Sequence, residues 1–329
     1  MSDAKPVKVY FLGSGNLGKQ VLTALSADSR ICLCGIGSQP DRQCGRGHKY
    51  APTALASHAM SLGFEVERLE SVNTEEFAEK LRLLGVEILL VVAFGQLLKA
   101  PLLALPMFGC LNVHASLLPR YRGACPINAA ILNGDRETGV SFMAMNKGLD
   151  TGPVYHVERL EILPEENAEE LESRLGELAA AHIGDVCWRI AREGLAAVPQ
   201  PDTSERNVRK ISKSDGAIDW NDSAELLVRK MRAFCPWPGL YFDLPQLKEN
   251  ELRRVKLYSV AAEPSNGVVA APGTILPSRD KKLRVACGEG VLVIDRMCMS
   301  AKLPMDSERF LCGVRLLPGM VLASVSHGG

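Results

Sequence analysis

Two periodicities alternate along the first two hundred residues. Continuous apolar runs at 7–12, 31–36 and 86–93 have the composition of strands buried on both faces. Between them, at 17–27, 53–62 and 74–84, apolar residues return every three or four positions, the period of a helix with one face in a core. A further short apolar run at 64–67 predicts one more strand. Strands separated by helices predict a parallel α/β sheet, and the most apolar run, 86–93, belongs at its centre. Farther on, residues 107–113 read as the end of a buried strand and 126–132 as a helix. Residues 139–145 and 153–160 read as two strands about a tight turn, and 167–192 as a long amphipathic helix with glutamates at its start, where the helix dipole favours them. At 196–212 the pattern stops: Pro199, Pro201, several charges and no apolar period mark an interdomain linker. A helix at 223–234 follows. Short strands at 252–262, 273–275, 283–287 and 291–297, spaced by turns, suit a small β-barrel.

Composition narrows the class. A chain of 329 residues is longer than one average domain. Its 47% hydrophobic content and zero formal charge suit a soluble globular protein, and no run of about 18 apolar residues predicts a membrane span. The N-terminus has neither a hydrophobic signal core nor an Arg-rich leader, so a cytoplasmic location is expected. The ten cysteines include no C-x-x-C pair and sit mostly among apolar or small residues, as reduced core thiols do. The six histidines do not cluster in sequence; His156, alternating with apolar neighbours, reads as a surface strand residue, and no metal site is expected. The zero net charge hides an asymmetry. Residues 1–205 carry 19 basic and 25 acidic side chains, whereas 206–329 carry 19 and 13, a basic second part that suits a polyanionic partner.

Three stretches carry candidate chemistry. Gly13-Ser-Gly-Asn-Leu-Gly18 spells G-x-G-x-x-G in a βαβ opening, but no carboxylate ends the second strand until Asp41, so a dinucleotide site lacks its ribose partner. Asn112 and His114 alternate on one face at the end of a strand. An amide donor beside an imidazole suits carbonyl chemistry, the amide stabilising an oxyanion while the imidazole moves a proton. The alternative is a buried polar pair satisfied by backbone. Asp150, in Gly148-Leu-Asp-Thr-Gly-Pro153, either closes its own turn or orients His114. Finally, 38–49 is a turn-rich loop with two arginines, a lysine and a histidine; it is either a solvated loop or one that follows a phosphate backbone.

The combination N-x-H-x-S-L-L-P-x-x-R-G at 112–123 with G-L-D-T-G-P at 148–153 resembles the 10-formyltetrahydrofolate-dependent formyltransferases. Q-P-D-R-x-x-G-R-G-x-K at 39–49, together with I-D-W at 218–220 and R-A-F-x-P-W-P at 232–238, resembles the branch of that family acting on initiator methionyl-tRNA. The resemblance implies a Rossmann-like, mostly parallel twisted sheet with helices on both faces (1–197), a linker (198–212) and a smaller C-terminal OB-like β-barrel domain (213–329). It implies Asn112, His114 and Asp150 as catalytic residues and Ser116, Leu117, Leu118, Pro119, Phe94, Gly95 and Gln96 as the folate site. Arg42, Arg46 and Lys49 would hold the tRNA. The expected donor is 10-formyltetrahydrofolate as a substrate, with no metal and no NAD, and the expected partners are initiator methionyl-tRNA and a small folate. No membrane contact is expected, and the chain is expected to be a monomer. Competing readings are a formyltransferase or hydrolase of small substrates, an NAD-dependent oxidoreductase, and an RNA-binding protein without activity.

Overall fold

A computed structural model describes residues 4–44, 49–244, 253–267, 269–299 and 302–324. The chain divides into two compact units. The first comprises Met1–Ile127, Arg136–Ile162 and Glu170–Arg209; the second comprises Asn128–Asp135, Leu163–Glu169 and Lys210–Gly329.

In chain order, the elements begin with β1 (Val7–Gly13), α1 (Leu17–Ala27), β2 (Ile31–Ser38), β3 (Arg42–Cys44), β4 (Lys49–Ala51) and α2 (Ala54–Ser61). β5 (Glu67–Arg68), α3 (Glu75–Leu84), β6 (Ile88–Val92), α4 (Ala100–Leu103) and β7 (Cys110–His114) follow. Then come α5 (Pro126–Asn133), β8 (Glu137–Ala144), β9 (Val154–Glu161) and α6 (Ala168–Trp188). The main sheet has the order β5-β2-β1-β6-β7-β8-β9. Its first five strands are parallel, and β8 and β9 add antiparallel pairings. With helices on both faces this is a Rossmann-like sheet. β6, buried at every position, is the fourth of the seven strands, as its apolar run predicts. Tyr10, Leu12, Leu89 and Val91 pack with Phe77 and Leu81 of α3 in one apolar cluster.

Local chemistry sets the helix ends. Thr53 and Thr74 accept hydrogen bonds from Ala56 N and Phe77 N as N-caps, and Gly85 ends α3 in the left-handed region at φ 63°. The segment read as a loop at 38–49 contains β3 and the first residue of β4, which pair antiparallel with Cys44 opposite Lys49. Its turn-forming composition concealed two strands of three residues each.

The second unit holds α7 (Ala224–Ala233), β10 (Tyr241–Leu244), β11 (Arg253–Glu263), β12 (Ile275–Leu276), β13 (Leu283–Ala286), β14 (Val291–Met299), β15 (Met305–Asp306) and α8 (Ser307–Gly313). Its antiparallel strands run β10-β11-β14-β13-β12, with β15 on β14, in a curled OB-like half-barrel. β10 and α8 were not anticipated from the pattern.

Switching from β2 on one side of β1 to β6 on the other creates the crevice at which open α/β sheets bind ligands, beyond the carboxyl ends of β1 and β6. The G-x-G-x-x-G turn lies at this edge, and packing accounts for its glycines. A Cβ on Gly13 would stand 2.9 Å from the Val92 carbonyl oxygen, and one on Gly15 would stand 3.0 Å from Ala93 Cβ. The amide of Leu17, at the N-terminus of α1 where a pyrophosphate would sit, donates to the Glu172 carboxylate at 3.3 Å.

Candidate active site

The site is built on β7 and two connections that return to it, all within the first unit. β7 pairs with β8 in a register that sets Asn112 opposite Met143 and His114 opposite Ser141. Alternation places Asn112 and His114 on the same face. His114 is buried at 6% exposure. Its Nε2 lies 3.0 Å from the Tyr121 carbonyl oxygen, which can only accept, so Nε2 carries a hydrogen. Its Nδ1 faces Asp150 Oδ2 at 3.7 Å.

Asp150 arrives on the β8–β9 connection, which folds back over β7. The turn is closed by Asn146 rather than by Asp150: Asn146 Oδ1 accepts from Gly148 N and from Thr151 Oγ1, both at 2.9 Å. Gly152 permits the return, since a Cβ there would lie 1.7 Å from the Ala144 carbonyl oxygen. Released from turn closure, the Asp150 carboxylate accepts from Gly123 N–H at 2.8 Å and from the Asn112 amide at 3.5 Å. Asp150 itself has φ 52°, a left-handed conformation that costs a non-glycine residue about 1–2 kcal/mol. Asn112, His114 and Asp150 thus converge. An amide donor, an imidazole and a carboxylate in a largely water-excluded place can stabilise a developing oxyanion and move a proton.

The Ser-Leu-Leu-Pro segment is folded around Ser141. Ser141 Oγ donates to the Ser116 carbonyl at 2.7 Å and accepts from Leu118 N at 3.1 Å. Ser116 is fully buried and its hydroxyl donates to the Arg120 carbonyl at 2.6 Å, so that side chain holds the turn. Leu118 lines a depression of about 400 Å³ together with Val154–Val157 and Val198–Pro201. Gly95 and Gln96 line a different, open depression of about 570 Å³ with Gln39, Arg42, Tyr50 and Glu70. Phe94 is buried, and its carbonyl accepts from the Gln39 amide at 2.7 Å. Gln96 is spent on the backbone at 69–72, donating to Leu69 O and accepting from Val72 N. Of the residues anticipated for folate, Leu118 lines one depression and Gly95 and Gln96 the other, while Ser116 and Phe94 are buried. Of those anticipated for tRNA, Arg42 donates to Gln39 Oε1 at 2.6 Å and Lys49 is exposed, while Arg46 lies outside the described residues.

Sequence reasoning missed the Tyr121 carbonyl, the Gly123 amide, Ser141 and Gln200. Gln200 belongs to the stretch read as a linker, which is stitched to the first unit. Val198 exchanges two backbone hydrogen bonds with Val154, and Val208 bonds to Arg122 and Ala124. The one available signal was a lone polar residue fixed between Pro199 and Pro201.

His156 lies on β9 at a half-buried strand position. His156, Glu158 and His182 gather within 4.8 Å of one another, although they are dispersed in sequence. Glu158 Oε1 lies 2.7 Å from His156 Nε2, a hydrogen-bond distance, and 3.6 Å from His182 Nδ1. Burial pushes the Cys110 thiol up to about 12, in keeping with a core cysteine. No helix among the described residues is long and apolar enough to cross a membrane.

The sheet and the three converging side chains suit an enzyme of carbonyl chemistry, and comparison with known proteins specifies formyl transfer. Residues 7–186 match the formyl transferase family model, and residues 210–315 match the model of the formyl transferase C-terminal domain. A methionyl-tRNA formyltransferase of Cereibacter sphaeroides (strain KD131) is 40% identical over 313 residues, 95% of this chain and 98% of that one. That of Parvibaculum lavamentivorans is 37% identical over 317 residues, 96% of this chain and all of that one. The chain belongs to the methionyl-tRNA formyltransferase family. Among solved structures, HypX from Aquifex aeolicus in complex with tetrahydrofolic acid shares the fold, with a TM-score of 0.61 at 16% identity. That alignment covers 94% of this chain, which spans about half of HypX (47%).

Proposed function

We propose that this protein transfers the formyl group of 10-formyltetrahydrofolate to the α-amine of methionine on initiator methionyl-tRNA. The observation that carries the reading is the convergence of Asn112, His114 and Asp150 at the end of β7, in a chain related over nearly its whole length to enzymes of that name.

The amine attacks the formyl carbon, the carbonyl becomes a tetrahedral oxyanion, and as the oxyanion collapses the C–N10 bond breaks while the proton given up by the amine passes to N10. Asn112 donates to the oxyanion, an interaction whose loss costs roughly 2.7–4 kcal/mol in comparable sites. His114 is anchored through Nε2 by the Tyr121 carbonyl, which leaves Nδ1, on the Asp150 side, to handle the proton. Asp150 orients the ring and pairs with its charged form. Residues 1–197 carry this chemistry, 198–212 link, and 213–329 help to bind tRNA with their basic surplus. Ser116–Pro119 and Phe94–Gln96 contact the folate, the former through a backbone shaped by Ser141. Arg42, Arg46 and Lys49 approach the acceptor stem. The enzyme works as a monomer in the cytoplasm.

The test is formyl transfer by purified protein with 10-formyltetrahydrofolate and methionine-charged initiator tRNA, with uncharged tRNA as control. Formylmethionine on charged tRNA alone is the expected result. Release of tetrahydrofolate with no formylated tRNA would overturn the assignment of the acceptor.

A further inference from the structure

We propose that Gln200 is a positioning residue for the formyl-transfer site, holding the Asp150 turn in the one conformation that aims its carboxylate at Asn112 and His114. The proposal rests on the function given above.

The Gln200 side chain is fully engaged. Its amide nitrogen donates both hydrogens to the turn that carries Asp150, one to the Asp150 carbonyl at 2.9 Å and one to the Gly152 carbonyl at 2.8 Å. Its oxygen accepts from Arg122 Nε at 2.9 Å and Arg122 Nη2 at 2.7 Å. Arg122 precedes Gly123, whose N–H holds the Asp150 carboxylate. The same two pieces of chain therefore grip Asp150 from both ends, Gly123 by its carboxylate and Gln200 by its main chain.

The grip has a physical purpose. Asp150 sits at φ 52°, where a non-glycine residue stays only if its surroundings over-determine it. Asn146 closes the far side of the turn and reaches Gly148 and Thr151, but not the Asp150 carbonyl. Gln200 supplies the missing constraint, and Arg122 orients the amide so that its nitrogen faces the turn: a guanidinium only donates, so the oxygen must face it. Pro199 and Pro201 restrict the backbone on either side, and the Val198–Val154 pair fixes the approach.

Gln200→Leu removes the donors and Gln200→Glu replaces them with acceptors while keeping a partner for Arg122. Both are expected to lower kcat roughly 10- to 100-fold, the cost of displacing a reacting group by about an ångström. KM for the folate and for tRNA stays within about twofold. If the residue served only to pair Arg122, Gln200→Glu would match the wild type. The decisive readout is the double variant. Because Gln200 acts through Asp150, Gln200→Leu adds no further loss in an Asp150→Asn background. Leu83→Ala, on the exposed face of α3 and away from both connections that bear the site, serves as a folded control with unchanged kcat. A wild type that formylates methionyl-tRNA alongside a Gln200→Leu variant of equal kcat overturns the inference, as do multiplicative losses in the double variant. A wild type that forms no formylmethionyl-tRNA overturns the underlying function instead.

Discussion

Replacing Asp150 by asparagine keeps the size of the side chain and changes its charge and the direction of its hydrogen bonds. The carboxylate accepts at both oxygens, from Gly123 N–H at 2.8 Å and from the Asn112 amide at 3.5 Å. An amide has one accepting end. With its oxygen kept on the Gly123 N–H, its NH₂ confronts the NH₂ of Asn112. Relief turns the Asn112 carbonyl toward position 150 and takes its donor away from the developing oxyanion. Loss of one such donor costs roughly 10²–10³ in kcat, and loss of a proton-transfer group contributes ~10²–10⁴. Groups that act as a unit do not multiply their losses. The expected fall in kcat is therefore about 10³–10⁴-fold, or roughly 4–5.5 kcal/mol of barrier. The turn itself survives, because Asn146 and Gln200 hold it through backbone groups and Thr151. Single-turnover formylation of methionyl-tRNA, with folate binding and thermal melting measured on the same preparation, is the assay. A kcat within tenfold of the wild type refutes the reasoning, as does a parallel collapse of folate affinity and melting temperature.

Gly123→Ala places a Cβ 2.4 Å from the Val208 carbonyl oxygen at a residue with φ 112°. Backbone strain alone costs about 1–3 kcal/mol, so the melting temperature and kcat should fall together; an unchanged melt would show that the contact relaxes freely. Arg46→Ala should raise KM for tRNA and flatten its salt dependence while folate affinity stays constant, and equal loss of both would make the loop structural. Glu87 accepts from both Arg192 Nη1 at 2.7 Å and Lys8 N at 2.9 Å, and the Arg192 guanidinium holds its carboxyl below the usual glutamate range. A carboxyl lowered on folding stabilises the folded state above its unfolded pKa, about 4.3, and loses that contribution as pH falls through the folded value. Glu87→Gln should therefore destabilise at pH 7 and approach the wild type in acid; a difference that persists or widens toward low pH would reverse the assigned sign.

What the sequence made legible follows from side-chain chemistry that acts locally. Thr53 and Thr74 cap helices within three residues of themselves, and the apolar run around β6 requires burial on both faces. Asn112 and His114 stand two positions apart on a strand, so their shared face could be read without a fold. Asp150 drew attention through its flanking glycines, but only the structure separates turn closure, done by Asn146, from a carboxylate aimed inward. The Tyr121 carbonyl and Gly123 amide carry no residue-type signal, since every non-proline residue has both groups. Gln200 lies 50 positions from Asp150, and its neighbours have the composition of a linker. His156, Glu158 and His182 are joined by the packing of a strand and a helix, which no local pattern announces. The G-x-G-x-x-G opening, which lacks a carboxylate at the end of the second strand, has a packing account of its own. Close approach to Val92 and Ala93 requires its first two glycines, so packing by itself calls for them.

The stitched segment at 198–208 also shows which forces hold a connection to a catalytic unit. A charged contact of the segment, Arg120 with Glu205 at 3.7 Å, is about half exposed on both sides and contributes about 0–1 kcal/mol. The backbone pairs of Val198 and Val208, together with the four hydrogen bonds of Gln200, are directional and pair no opposite charges for salt to screen. They therefore dominate, and raising the salt concentration should leave the segment in place. Its attachments end on Val154, Arg122, Ala124, Asp150 and Gly152, residues that flank or form the two connections bearing the site. A stretch whose composition reads as spacer is in this way a structural part of the site, and substitutions there should alter turnover before they alter folding.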